Sequence, residues 1–267
     1  MNLSRVRTVF AKELLEIRKN RTLLFTIFLP PLLLTLLPLG ILAVLGSDLS
    51  QSNMSASDLA RYAQAFPELV GLPPGDMLQV VIMRQFLVMY LMLPLIIPTA
   101  IASASIIGEK EHRSLEPLLA TPIKTSELLL AKSVAAMLPA VLATWLTYGI
   151  FFVGARLVVH SDRVFNALLN PVWLLAMLVL APLLSLLSVS LSVIISSRVN
   201  DTRVAQQLAG LVVIPVVLFA VGQTAGFVLV NTYVFAIASI VVALIDVGVL
   251  YAGVQLFDRE TILTRWK

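Results

Sequence analysis

No cysteine occurs in the chain, and only 2 of its 267 residues are histidine. The first absence excludes disulfides, thiolate metal sites and a cysteine nucleophile. The second leaves His112 and His160 in loops on opposite sides of the apolar segments, so one subunit cannot assemble an intramembrane Ser–His pair or a histidine metal site. No G-x-x-x-x-G-K-S/T stretch is present, which removes a P-loop cradle for ATP phosphates. Charge is scarce as well: 13% of residues are Asp, Glu, Lys or Arg, against roughly 25% in a soluble domain.

What the chain has in quantity is apolar residues, 59% of the total. A spanning helix takes about 20 of them in succession, because nothing in a bilayer core can satisfy an exposed backbone. Six intervals qualify: residues 23–45, 86–107, 133–155, 172–195, 208–230 and 233–256. Prolines 30, 31, 38, 94, 98 and 139 bend the first three. The reading is an all-α polytopic membrane protein in a cell (plasma or inner) membrane.

Orientation follows from the basic residues, which stay on the cytoplasmic side. With the N-terminus inside, fifteen of the 19 Lys and Arg residues fall on inner segments, and only Arg61, Arg84, Arg156 and Arg163 fall outside. Both termini are therefore expected in the cytoplasm. The first apolar run has no small-residue cleavage site and reads as an uncleaved anchor.

Ahead of it, "RVRTVFAKELLEIRKN" spaces Val6, Phe10, Leu14 and Ile17 along one face of an amphipathic helix that would lie on the membrane surface. Residues 46–84 form the longest polar interval and read as external. Within it "SDLARYAQAF" predicts a short helix and "GLPPGD" a turn. The turn "NTY" between the last two spans predicts a tight antiparallel hairpin.

The most charged interior stretch is "GEKEHRSLEPLLATPIKTSELLLAK". It opens with a charged turn, continues with Leu115, Leu118 and Leu119 at helical spacing, stops at Thr121-Pro122 and restarts near Thr125. Glu116 and Glu127 suit first-turn positions, where carboxylates complement exposed amides.

This stretch resembles the loop between the second and third spans of ABC-2-type transporter permeases. The N-terminal "FAKELLEIRKNRTLLFTIFLPPLLL" and the tail "FDRETILTRWK" are similar to the ends of that family, and Ser114 stands where its charged turn has glycine. The resemblance implies an interfacial helix over residues 1–22 and a six-helix transmembrane domain over 23–267, with a cytoplasmic coupling loop at 108–132 and a cytoplasmic tail at 257–267. It also implies a dimer, as a homodimer or with a second permease, seated on ABC ATPase subunits that hold ATP and Mg. No cofactor is expected on this chain, and nothing points to nucleic acid. Glu109, Glu111, Arg113, Leu115, Glu116, Leu118 and Leu119 are the residues so assigned to the ATPase contact.

Asp246 is the one carboxylate well inside a span. A charge there costs about 2.5–3.5 kcal/mol, so such a group is protonated, paired or facing water. It reads either as a substrate- or proton-contacting group, which would suit an ion-coupled transporter or channel, or as a neutral acid bonded to neighbouring helices. Ser185, Ser188, Ser192 and Ser196 share one helical face, for packing or for lining a pathway, and Gly222 and Gly226 make a G-x-x-x-G pair.

Overall fold

The computed structural model describes residues 3–51, 71–111, 125–159, 161–225 and 231–256. Every regular element among them is helical. α1 (Leu3–Lys19) stops at Asn20, whose N–H donates to the carbonyls of Glu16 and Ile17 at 3.1 and 3.2 Å. The side-chain oxygen of Asn20 accepts from the N–H groups of Thr22 and Leu23 at 3.0 and 3.2 Å. One asparagine thus terminates α1 and caps α2 (Arg21–Gln51), fixing the corner before the first span.

The second span is composite: α3 (Pro74–Met89), a 3-10 turn (Tyr90–Met92) and α4 (Leu93–Glu111). α5 (Thr125–Val158) is the third. The fourth consists of α6 (Asp162–Leu168), α7 (Pro171–Leu175), a π-helical turn (Ala176–Leu180) and α8 (Ala181–Arg198). α9 (Thr202–Gly210), a 3-10 turn (Leu211–Val213) and α10 (Ile214–Thr224) make the fifth, and α11 (Thr232–Leu256) the sixth. All six predicted spans are present as helices long and apolar enough to cross a membrane.

Proline accounts for much of the irregularity. Pro94 and Pro215 cannot donate to the carbonyls four residues back, those of Tyr90 and Leu211. In each case the N–H of the preceding residue, Leu93 or Ile214, takes that carbonyl through a tighter 3-10 bond. Pro38 likewise leaves the Leu34 carbonyl of α2 without its helical donor, and the buried Tyr90 hydroxyl donates to it from the second span at 3.1 Å. The bent first span is thereby pinned to the middle of the second. In the fourth span the π turn just precedes Pro182, and the Met177 carbonyl within it accepts from the Trp145 indole of α5 at 2.7 Å.

The second and fourth spans form the centre, being 61 and 56% buried against 17% for each of the last two. Their broadest seam joins α4 to α8. Tyr90 meets Phe151 edge-on at 5.5 Å, and Trp173 meets Phe235 at 5.7 Å.

The helix that carries the second span begins at Pro74, inside the interval 46–84 read as polar and external, and Met77, Val80, Met83 and Arg84 on it are buried. Two expectations need correction. In "GLPPGD" the turn is confined to Gly71 and its neighbours, where φ is +97°, and the second proline already occupies the first helical position. Among the described residues the last two spans do not pack on each other as a tight hairpin. α10 packs chiefly on α3 and α11 on α8, with Phe219 and Phe235 touching at 5.7 Å. The helix expected in "SDLARYAQAF", and Gly226 of the glycine pair, lie outside the described residues.

Candidate functional site

At the end of the bundle where α1 lies, four helices meet around a set of charges that belong to no single one of them. α1 buries Val9, Glu13 and Ile17, one per turn at spacings of four. The stripe expected from Val6, Phe10, Leu14 and Ile17 is therefore rotated, with a carboxylate at its centre. Glu13 can be buried because Lys132, in α5, reaches its Oε1 at 2.7 Å and Ser105, in α4, donates to its Oε2 at 2.7 Å.

Lys132 is the hub. Its ammonium also donates to Ser105 Oγ at 2.7 Å and lies 2.9 Å from Glu109 Oε2. The other oxygen of Glu109 accepts from Lys12 at 2.6 Å, and Lys12 pairs with Glu16 at 3.2 Å on its own helix. Lys132, Glu13 and Glu109 are each about 95% buried or more. A charge so placed is tolerable only when paired and hydrogen-bonded, and removing one partner of such a set costs about 3–5 kcal/mol.

Electrostatics follow from these contacts. Burial pushes the Glu13 carboxyl up, but the Lys132 ammonium, the hydrogen bonds from Lys132 and Ser105, and Lys12 outweigh it and hold the carboxyl below its ordinary value. Burial lowers Lys12, while its hydrogen bond to Glu109 and the charges of Glu109, Glu13 and Glu16 raise it further, so it stays charged above its ordinary range. Glu13 contributes its stabilisation above the unfolded carboxyl value of about 4.3 and loses it as pH falls through the lowered one. Lys12 contributes below the unfolded ammonium value of about 10.4 and loses it as pH rises through the raised one. The docking of α1 is thus expected to hold on a plateau through neutral pH and to loosen in strong acid and in strong alkali. A spin label on a cysteine at the exposed Ala11 would report this as mobility, and a response without a plateau would contradict it.

The residue after Glu109 works in the other direction. Lys110 donates to the carbonyls of Ser196, Ser197 and Val199 at 2.6, 2.8 and 3.0 Å. These are the orphan carbonyls at the C-terminus of α8, where a cation also complements the helix dipole. Adjacent residues thus tie the end of α4 to α1 and α5 on one side and to α8 on the other. The segment 112–124 departs from this anchored end and re-enters at α5, where Glu127 occupies the first turn as expected.

Of the residues assigned to an ATPase contact, Glu109 is buried in the network and faces inward. Glu111 is the last residue of α4, while Arg113, Leu115, Glu116, Leu118 and Leu119 lie outside the described residues. Sequence reading missed Lys12, Glu13, Ser105 and Lys132 as a unit. The available signal was a lone carboxylate spaced four residues from Val9 and Ile17.

Elsewhere, Ser185, Ser188 and Ser192 are fully buried on α8. Ser188 donates to the Leu95 carbonyl and shares a hydrogen bond with Thr99, both at 2.6 Å, so it fastens α8 to α4. Ser192 bonds back to its own helix at 2.7 Å. Asp246 is buried on α11, apart from the charged network, and among the described residues neither of its oxygens has a hydrogen-bond partner. Among the described residues no group of three His, Cys, Asp or Glu side chains is placed to hold a metal ion.

No curated protein matches the chain. A family model described as ABC-2 family transporter protein matches residues 7–254, a stretch that contains all six spans, and the chain accordingly belongs to that family as a multi-pass membrane permease of an ABC transporter.

Proposed function

We propose that this chain is the permease subunit of an ABC exporter in a plasma or inner membrane, forming the translocation pathway as a dimer while separate ATPase subunits bind ATP and Mg. In this reading residues 108–132 are the cytoplasmic element that the ATPase moves. Glu111, Arg113, Leu115, Glu116, Leu118 and Leu119 supply its contact surface, and Glu109 relays from behind it.

The observation that carries the reading is the double anchoring at Glu109 and Lys110. A displacement of the loop cannot be absorbed by a loose tether, because the residues at its root are bonded to α1, α5 and α8 at once. Packed, bonded elements pass on a push as rigid-body motion, and bistable seams convert small shifts into tilts. The fifth and sixth spans, least buried in the single chain, are free to meet lipid or a second permease.

Native purification in mild detergent, with mass spectrometry of what copurifies, tests this. An ABC ATPase is expected in the wild-type sample and is expected to be lost from a Glu111→Lys, Arg113→Glu double variant that still inserts. Recovery of the wild-type permease without an ATPase, under conditions that preserve other ABC assemblies, would remove the reading.

A further inference from the structure

Asp246 is not used by the mechanism above, and its surroundings define it sharply. Two contacts set α11 parallel to α8: Phe235 lies against Trp173 at 5.7 Å, and a Cβ on Gly253 would sit 3.7 Å from Ile194 Cδ1. Counting residues between these anchors at equal rise puts Asp246 level with the Ser185–Leu187 stretch of the fourth span. Its neighbours Leu244 and Val247 are each 68% exposed, whereas Asp246 is 2% exposed, so the carboxyl turns inward from a helix whose other faces are apolar and open.

Among the described residues no counter-charge waits for it there. The elements packed most against α11 are α8, α7 and the π turn. α7 and the π turn contain no ionisable residue, and α8 has only Arg198 at its far end, roughly 17–20 Å along the helix from that level. Lys110 binds the same far end, and Tyr233 and Tyr251 on α11 itself are exposed. Among the described residues neither carboxyl oxygen has a hydrogen-bond partner, and nor does the buried hydroxyl of Ser185. An intramembrane carboxyl that is neither paired nor in water is accommodated by carrying a proton.

We infer that Asp246 is a proton-binding site of the permease, loaded while α11 lies on α8 and emptied to water when the two helices part. The step is a simple acid dissociation: the carboxylic acid gives its proton to water admitted to the open seam and takes one back before the seam closes. This does not rest on the ATPase reading, since the site lies within one chain.

The absence of native cysteine makes the test clean. In an Ile194→Cys, Gly253→Cys variant a disulfide would hold α11 on α8, and infrared difference spectra of the full chain in vesicles would follow the carboxyl as pH is raised. An Asp246→Asn chain serves as the spectral blank, and Asp246→Glu, with its displaced band, replaces it if the Asn chain does not insert. The expected result is a protonated-carboxyl carbonyl band at neutral pH, absent from the blank. In the oxidised variant that band should survive to at least about one pH unit higher than after reduction, a tenfold change in proton affinity. An ionised Asp246 at neutral pH in the locked chain, or the same titration with and without the disulfide, would overturn the inference. Either failure leaves copurification of an ATPase untouched, so the two readings stand or fall separately.

Discussion

Replacing Lys132 by Met is expected to release α1 from the bundle and to abolish coupled transport while leaving six spans inserted. The substitution keeps the apolar stem and deletes the charge that holds Glu13 and Glu109 together at 2.7 and 2.9 Å. Among the ion pairs of the described residues Lys12 then remains against three carboxylates, and it is more exposed than Lys132. Leaving a buried charge without its partner costs about 3–5 kcal/mol. If that energy is lost from α1 docking alone, protection of the α1 amides from hydrogen exchange falls by roughly two to nearly four orders of magnitude. The companion variant, Glu13→Leu with Lys132→Met and Glu109→Gln, removes the buried charges together and is expected to recover most of that protection, because an apolar replacement of a buried ion set is often neutral or better. Unchanged exchange in residues 3–19 of the single variant would mean that apolar packing, and not the network, holds α1.

The contrast between what was readable and what was not has a physical cause at each place. The six spans were legible because twenty apolar residues in succession have few other uses. The start of the helix that carries the second span was not, because Asp76, Gln79 and Arg84 make its first turns look polar. In the folded chain those groups find partners inside the bundle: Arg84 donates to the Ala167 carbonyl at 3.2 Å, and Asp76 accepts from Ser161 at 2.9 Å. A hydropathy window charges the full cost of a polar group and cannot see the partner that offsets it. The buried face of α1 was misjudged for the same reason, since Glu13 reads as solvent-facing until Lys132, 119 positions away, is brought beside it. The serine stripe of α8 was legible as a shared face, but its use in fastening α8 to α4 depends on Thr99 and the Leu95 carbonyl, which only the fold supplies.

Replacing Lys110 by Met is expected to loosen the other half of the anchor. The ammonium holds three carbonyls at the end of α8, but that end is only partly buried, so water can take over some of the bonds. The net loss is therefore nearer one charged hydrogen bond than three, about 1.5–3 kcal/mol. Spin labels on cysteines at Gly108, where a Cβ meets nothing within 4 Å, and at the exposed Asn200 would give a narrow distance distribution in the otherwise wild-type chain and a broad one in the variant. An unchanged distribution would show that the α4–α8 seam, with Ser188 at its centre, is sufficient by itself. Comparison with Lys132→Met then separates two routes for the push from the loop. If both variants lose transport while ATP hydrolysis continues, α8 and the α1–α5 pair must move together. Loss in Lys132→Met alone would assign the stroke to α1 and α5, with α8 and the serine seam acting as the fixed wall against which they tilt.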